Sequence, residues 1–140
     1  MKRLLFIALL FSAAARAGEP GYLPAVRATP ILKTTTTSAG QPIAYPKTDQ
    51  PEVTAVLVEI PPGAETGWHR HPFPCYAYLL SGELTVEVEG RKPNHFKAGD
   101  AIVETVGLLH NGRNTGSEPA KLVLFVTGEK GQPFTVKAPK

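Results

Sequence analysis

Fourteen prolines and thirteen glycines in 140 residues, most of them set between short apolar runs, exclude a helical bundle. Proline removes a backbone donor and glycine frees the backbone, so a chain interrupted this often folds as short strands joined by turns. Residues 31–37, 53–60, 75–80, 83–89, 94–97, 101–105 and 120–127 are β-prone, and 134–137 add a candidate edge. Turns are expected at Ser81-Gly82, Gly99-Asp100, Asn111-Gly112 and Gly116. In 83–89, Leu84, Val86 and Val88 alternate with Glu83, Thr85, Glu87 and Glu89, the pattern of a strand with one buried and one wet face. With 42% hydrophobic residues the chain supports one core, so the expectation is a single all-β domain, a sandwich or barrel.

The N-terminus has the form of an export signal. Lys2 and Arg3 precede an apolar stretch from Leu4 to Ala15, and Ala15-Arg16-Ala17 offers a small-x-small cleavage boundary. The stretch is short of the ~20 residues a spanning helix needs. The expected organisation is a signal peptide at 1–17, an extended arm at 18–30 and one domain at 31–140, with the mature protein periplasmic or secreted and free of the membrane. Lys2, Arg3 and Arg16 leave with the signal, so twelve basic side chains remain against twelve acidic ones. The pI of about 9.1 therefore describes the precursor, and nucleic acid is not an expected partner. Cys75 is the single cysteine and cannot close a bridge within the chain.

Three of the four histidines can be brought together. His69 and His71 are two residues apart, so on a strand both rings point to one side, and Pro72 holds His71 extended. Neutral imidazole is the commonest protein ligand for first-row transition metals, so the pair is a candidate half of a metal site, the alternative being that one or both are ordinary surface or core histidines.

The wider pattern carries a resemblance. Gly63, five residues on His69-Arg70-His71, then Cys75 and Gly82, resembles the first motif of the cupin superfamily, with cysteine where that motif has glutamate. Gly99, Gly107, His110 and Asn114 resemble the second motif, with Thr105 in place of its proline. The resemblance covers roughly 31–127. It implies a double-stranded β-helix, the jelly-roll barrel, in which His69, His71 and His110 converge on one transition metal ion. His95 lies outside both motifs and reads as exposed.

Cys75 occupies the slot of a ligand and shares strand parity with Ala77 and Leu79, so it is expected to point inward as a fourth metal ligand. A thiolate with three imidazoles favours copper or zinc over iron, nickel or manganese. The alternative for Cys75 is burial as a small hydrophobe. Trp68, Phe73, Tyr76 and Tyr78 read as packing or contact residues, and Glu104 as a solvated strand glutamate, although it could serve as a general base. The leading function is thus an exported metal-binding cupin, with a small-molecule substrate and a homodimer as further expectations. One alternative is a cupin metalloenzyme of the oxidoreductase or dioxygenase type with an open three-histidine site. The other is a metal-free jelly roll that binds a ligand or partner.

Overall fold

The structure is a computed structural model that describes residue 23 and residues 25–139. The expected signal peptide and residues 18–22 and 24 of the expected arm fall outside those residues. The strands, in chain order, are β1 (Pro51–Ile60), β2 (His69–Arg70), β3 (Cys75–Ser81), β4 (Glu83–Val88), β5 (Asn94–Lys97), β6 (Ala101–Val103), β7 (His110–Arg113), β8 (Ala120–Glu129) and β9 (Val136–Lys137). They form two sheets, of order β1-β8-β3-β6 and β5-β4-β7-β2-β9. The described residues are all-β, as the punctuation of the sequence requires.

The strongest β signal becomes β1, which ends where Pro61 can no longer donate to a ladder. Antiparallel β8 follows it from Pro51 opposite Glu129 to Ile60 opposite Ala120, and the other edge of β8 takes β3. Alternation then turns Leu122, Leu124 and Val126 of β8, and Ala77 and Leu79 of β3, into a cluster with Ile60, Ile102 and Leu84. Burying each of the larger aliphatic side chains contributes about 1.5–3 kcal/mol. The outer face of the first sheet stays apolar and exposed at Val53, Leu57 and Phe125.

The chain passes from one sheet to the other between β3 and β4. Register shifts between Leu79 and Ser81, and Gly82 then turns the corner at φ 76°. This corner lies close against the start of β8, since a Cβ on Gly82 would stand 2.7 Å from the Pro119 carbonyl oxygen.

Two expectations fail here. Residues 31–37 form no strand: Thr36 makes a single bridge to Pro42, and Ile31 and Leu32 are exposed. The Thr34 hydroxyl accepts from the Thr36 amide at 3.1 Å, so a threonine run that looks β-prone satisfies its backbone locally instead. Asn111-Gly112 is not a turn but the middle of β7, held between β4 and β2, with Asn111 1% exposed. Flanking strands on both sides override the local preference of the dipeptide.

Candidate metal centre

The site is built from one row across the second sheet. His110 of β7 stands opposite Val88 of β4 on one side and His69 of β2 on the other, and His69 stands opposite Lys137 of β9. Directly opposed residues share a face, so this register alone sets His110, His69 and Lys137 side by side. His71 comes round to the same side two residues after His69 and is held by a parallel bridge to Val106. The ring centroids are 4.3 Å apart for His69 and His110, and 5.0 Å apart for the other two pairs. One nitrogen from each ring lies within 4.8 Å of the other two.

Each ring is fixed by its far nitrogen. Nδ1 of His69 donates to the Gly67 carbonyl at 2.7 Å, Nδ1 of His71 to the Phe134 carbonyl at 2.7 Å, and Nδ1 of His110 to the Leu108 carbonyl at 3.0 Å. A carbonyl only accepts, so all three Nδ1 atoms carry the proton and a neutral ring presents its lone pair from Nε2. This is how metal-binding histidines are oriented, with the second nitrogen tied to an acceptor. Nε2 of His110 is buried without a hydrogen-bond partner, a lone pair that a metal ion would use. The donor set therefore fits a transition metal.

Glu104 joins the histidines. Its Oε2 lies 2.9 Å from Nε2 of His71 and 3.5 Å from Nε2 of His110, with its side chain 16% exposed. The expectation of a solvated strand glutamate is overturned. Glu104 shares strand parity with Ile102, which is 4% exposed and in the core, and that parity was the available signal. Burial works against charge on His71, but hydrogen bonding with Cys75 and Glu104 outweighs it and raises its pKa to about 10. For Glu104 burial is likewise outweighed by the adjoining His110 and His71 imidazoles, which lower its pKa to about 2. His69 is lowered, chiefly by burial.

Cys75 points inward, as its parity predicted, and is fully buried. Its Sγ donates to the Phe73 carbonyl at 3.4 Å, and burial raises its pKa. Neither its sulfur nor the Glu104 carboxylate lies within 4.8 Å of a ligand nitrogen of all three histidines, although Glu104 is close to two of them. His95 is exposed, and its Nδ1 lies 2.9 Å from the Thr85 hydroxyl.

Several residues that the sequence left unmarked hold the site in place. Gln41 grips Val106 at both its carbonyl and its amide, at 2.9 and 3.1 Å, and so fixes the loop bridged to His71. Phe134 supplies its carbonyl to His71 and stacks its ring near that imidazole, 19° from parallel. Asn114, the last motif residue, is a rivet rather than a ligand: its amide donates to the carbonyls of Ile60 and Glu118, each at 2.8 Å. The three histidines and Glu104 border a pocket of about 210 Å³ whose walls include Val58, Leu84, Leu122, Leu124 and Phe134, with Lys137 also lining it. Trp68, Phe73, Tyr76 and Tyr78 do not line it.

Two antiparallel sheets around an inward cluster of three histidines define a double-stranded β-helix protein with a metal-type centre. The cupin domain profile matches residues 56–127, a little over half of the sequence, and the chain belongs to the cupin family. The oryzines biosynthesis cluster protein J of Aspergillus oryzae is 33% identical over 69 residues, which cover 49% of this chain and 38% of that protein. A double-stranded β-helix protein from Klebsiella pneumoniae superposes with a TM-score of 0.53 at 26% identity, covering 68% of this chain and 90% of the other. The DMSP lyase DddQ of Ruegeria pomeroyi gives 0.55 at 26% identity, covering 71% of this chain and 47% of that one. The chain thus spans less than half the length of the fungal protein and of the lyase.

Proposed function

We propose that this chain is an exported, metal-dependent cupin that binds a small organic molecule in the pocket beside its metal centre. The observation that carries the reading is the convergence of three imidazoles, each tied at Nδ1 to a backbone carbonyl, on one wall of that pocket. A metal ion held there would supply Lewis-acid polarisation of a substrate oxygen. The chain's own side chains do the rest: the aliphatic walls and Phe134 exclude water and fit an apolar body. Lys137, on the face of His69, offers a cation to an acidic end. A pocket of about 210 Å³ is smaller than the roughly 300–1,000 Å³ of sites for drug-sized molecules, which favours a small organic acid or similar molecule. Resemblance in fold to a DMSP lyase and in sequence to a biosynthesis-cluster protein supports small-molecule chemistry. Export rests on the N-terminal sequence. Pairing with a second copy is supported by the exposed apolar face at Val53, Leu57 and Phe125, and a solution mass of one chain would remove that part of the reading.

The test is metal analysis of the purified protein beside single variants. His69→Ala, His71→Ala and His110→Ala should each lose stoichiometric metal, while His95→Ala keeps it. Full metal content in all three site variants would refute the reading.

A further inference from the structure

The register between β3 and β6 runs Tyr78 opposite Ala101, Ala77 opposite Ile102 and Tyr76 opposite Val103. One step further, the Glu104 amide donates to the Cys75 carbonyl at 2.9 Å, which makes Cys75 and Glu104 cross-strand neighbours. Such neighbours place their side chains on one face, with Cβ atoms about 5 Å apart. The carboxylate absent at position 75 therefore stands on the next strand, one rung across the same ladder.

We propose that Glu104 is the fourth protein ligand of the metal centre and that Cys75 is its small, non-ligating neighbour. The assignment rests on the metal-site reading above. Ligands about 2.1 Å from one ion stand about 3.0 Å apart at right angles and about 3.4 Å apart at tetrahedral angles. Oε2 of Glu104 is already 2.9 and 3.5 Å from two of the three histidine nitrogens, so it sits at ligand spacing from both. The thiol of Cys75 donates to the Phe73 carbonyl at 3.4 Å and lies beside His71 alone of the three imidazoles, whereas the carboxylate faces two. Carboxylates at both 75 and 104 would place like charges on one rung, so the exchange at one position and the acid at the other belong together. Three imidazoles with a carboxylate form a harder donor set than three imidazoles with a thiolate. That moves the preference from copper and zinc towards iron and manganese.

Cobalt(II) titration of the metal-free protein tests this, because it reports affinity and, in the near ultraviolet, any sulfur-to-metal charge transfer. Glu104→Gln should weaken cobalt binding by more than about a hundredfold, beyond the 10–100-fold typical of a partner that only orients a ligand. Cys75→Ser should leave affinity within about threefold, and neither it nor the wild type should show a thiolate band. Moving the acid back in the double variant Cys75→Glu/Glu104→Ala should restore binding to within about tenfold of wild type. If that variant does not fold, the two single variants decide. Near-normal affinity in Glu104→Gln, or a thiolate band lost with metal in Cys75→Ser, overturns the assignment while leaving the histidine site standing. Failure of the wild type to take up cobalt removes both.

Discussion

Metal uptake at pH 7.5 is expected to release close to one proton per ion bound. His71 has its pKa raised from 6.5 to about 10 because hydrogen bonds with Cys75 and Glu104 overcome the opposing effect of burial. It is therefore an imidazolium at neutral pH, and a ligand nitrogen must be free of its proton. His69, lowered by burial, is already neutral there. Apparent affinity should climb about tenfold per pH unit, or about a hundredfold from pH 7 to 9. Calorimetric titrations in buffers of different ionisation enthalpy count the proton, and a flat affinity across that range would contradict the pairing. The metal-free protein shows the same ion pair from the other side. The raised pKa of His71 contributes stability that is full below 6.5 and lost as pH rises through 10. The lowered pKa of Glu104 contributes stability present above 4.5 and lost as pH falls towards 2. The contribution of this pair to melting temperature should accordingly be highest between those bounds, pH 4.5 to 6.5.

Gly82→Ala should be the most damaging single methyl added to the barrel. Its Cβ would meet the Pro119 carbonyl at 2.7 Å and the Ala120 Cα at 2.8 Å, both backbone atoms that cannot swing aside, and φ is 76°. Strain in the left-handed region costs roughly 1–2 kcal/mol and overpacking roughly 1–3 kcal/mol more. The sum, about 2–5 kcal/mol, is a large part of the 5–15 kcal/mol typical of a domain. Gly99→Ala is the control, since it shares a positive φ of 94° but has nothing within 4 Å of the added carbon. Urea midpoints of the two variants should differ clearly, and equal midpoints would mean that the corner yields.

Much of this was legible in the chain. β5 matches its predicted span, β1, β3, β4 and β8 match to within a few residues, and His69, His71 and His110 meet as the motif resemblance implied. What escaped has a common physical origin. β7 reads HNGR, with no β-branched residue, and exists as a strand only because neighbours on both sides complete its hydrogen bonds. Glu104 escaped because composition says that strand glutamates are solvated, whereas its setting is decided by register with β3. Gln41 and Phe134 reach the site from segments far away in sequence, so no local spacing marks them.

The three carbonyls that hold the imidazoles also bear on which ion this protein ends up carrying. Gly67, Leu108 and Phe134 set the rings before any metal arrives, so little backbone ordering is left for the ion to drive. A pocket shaped in advance gives up one means of refusing an unsuitable guest, which is to leave the chain unfolded around it. Discrimination then falls to donor hardness and to whichever ions the surroundings supply. The same polypeptide recovered from copper-rich and from iron-rich medium should differ in its cargo while keeping its shape.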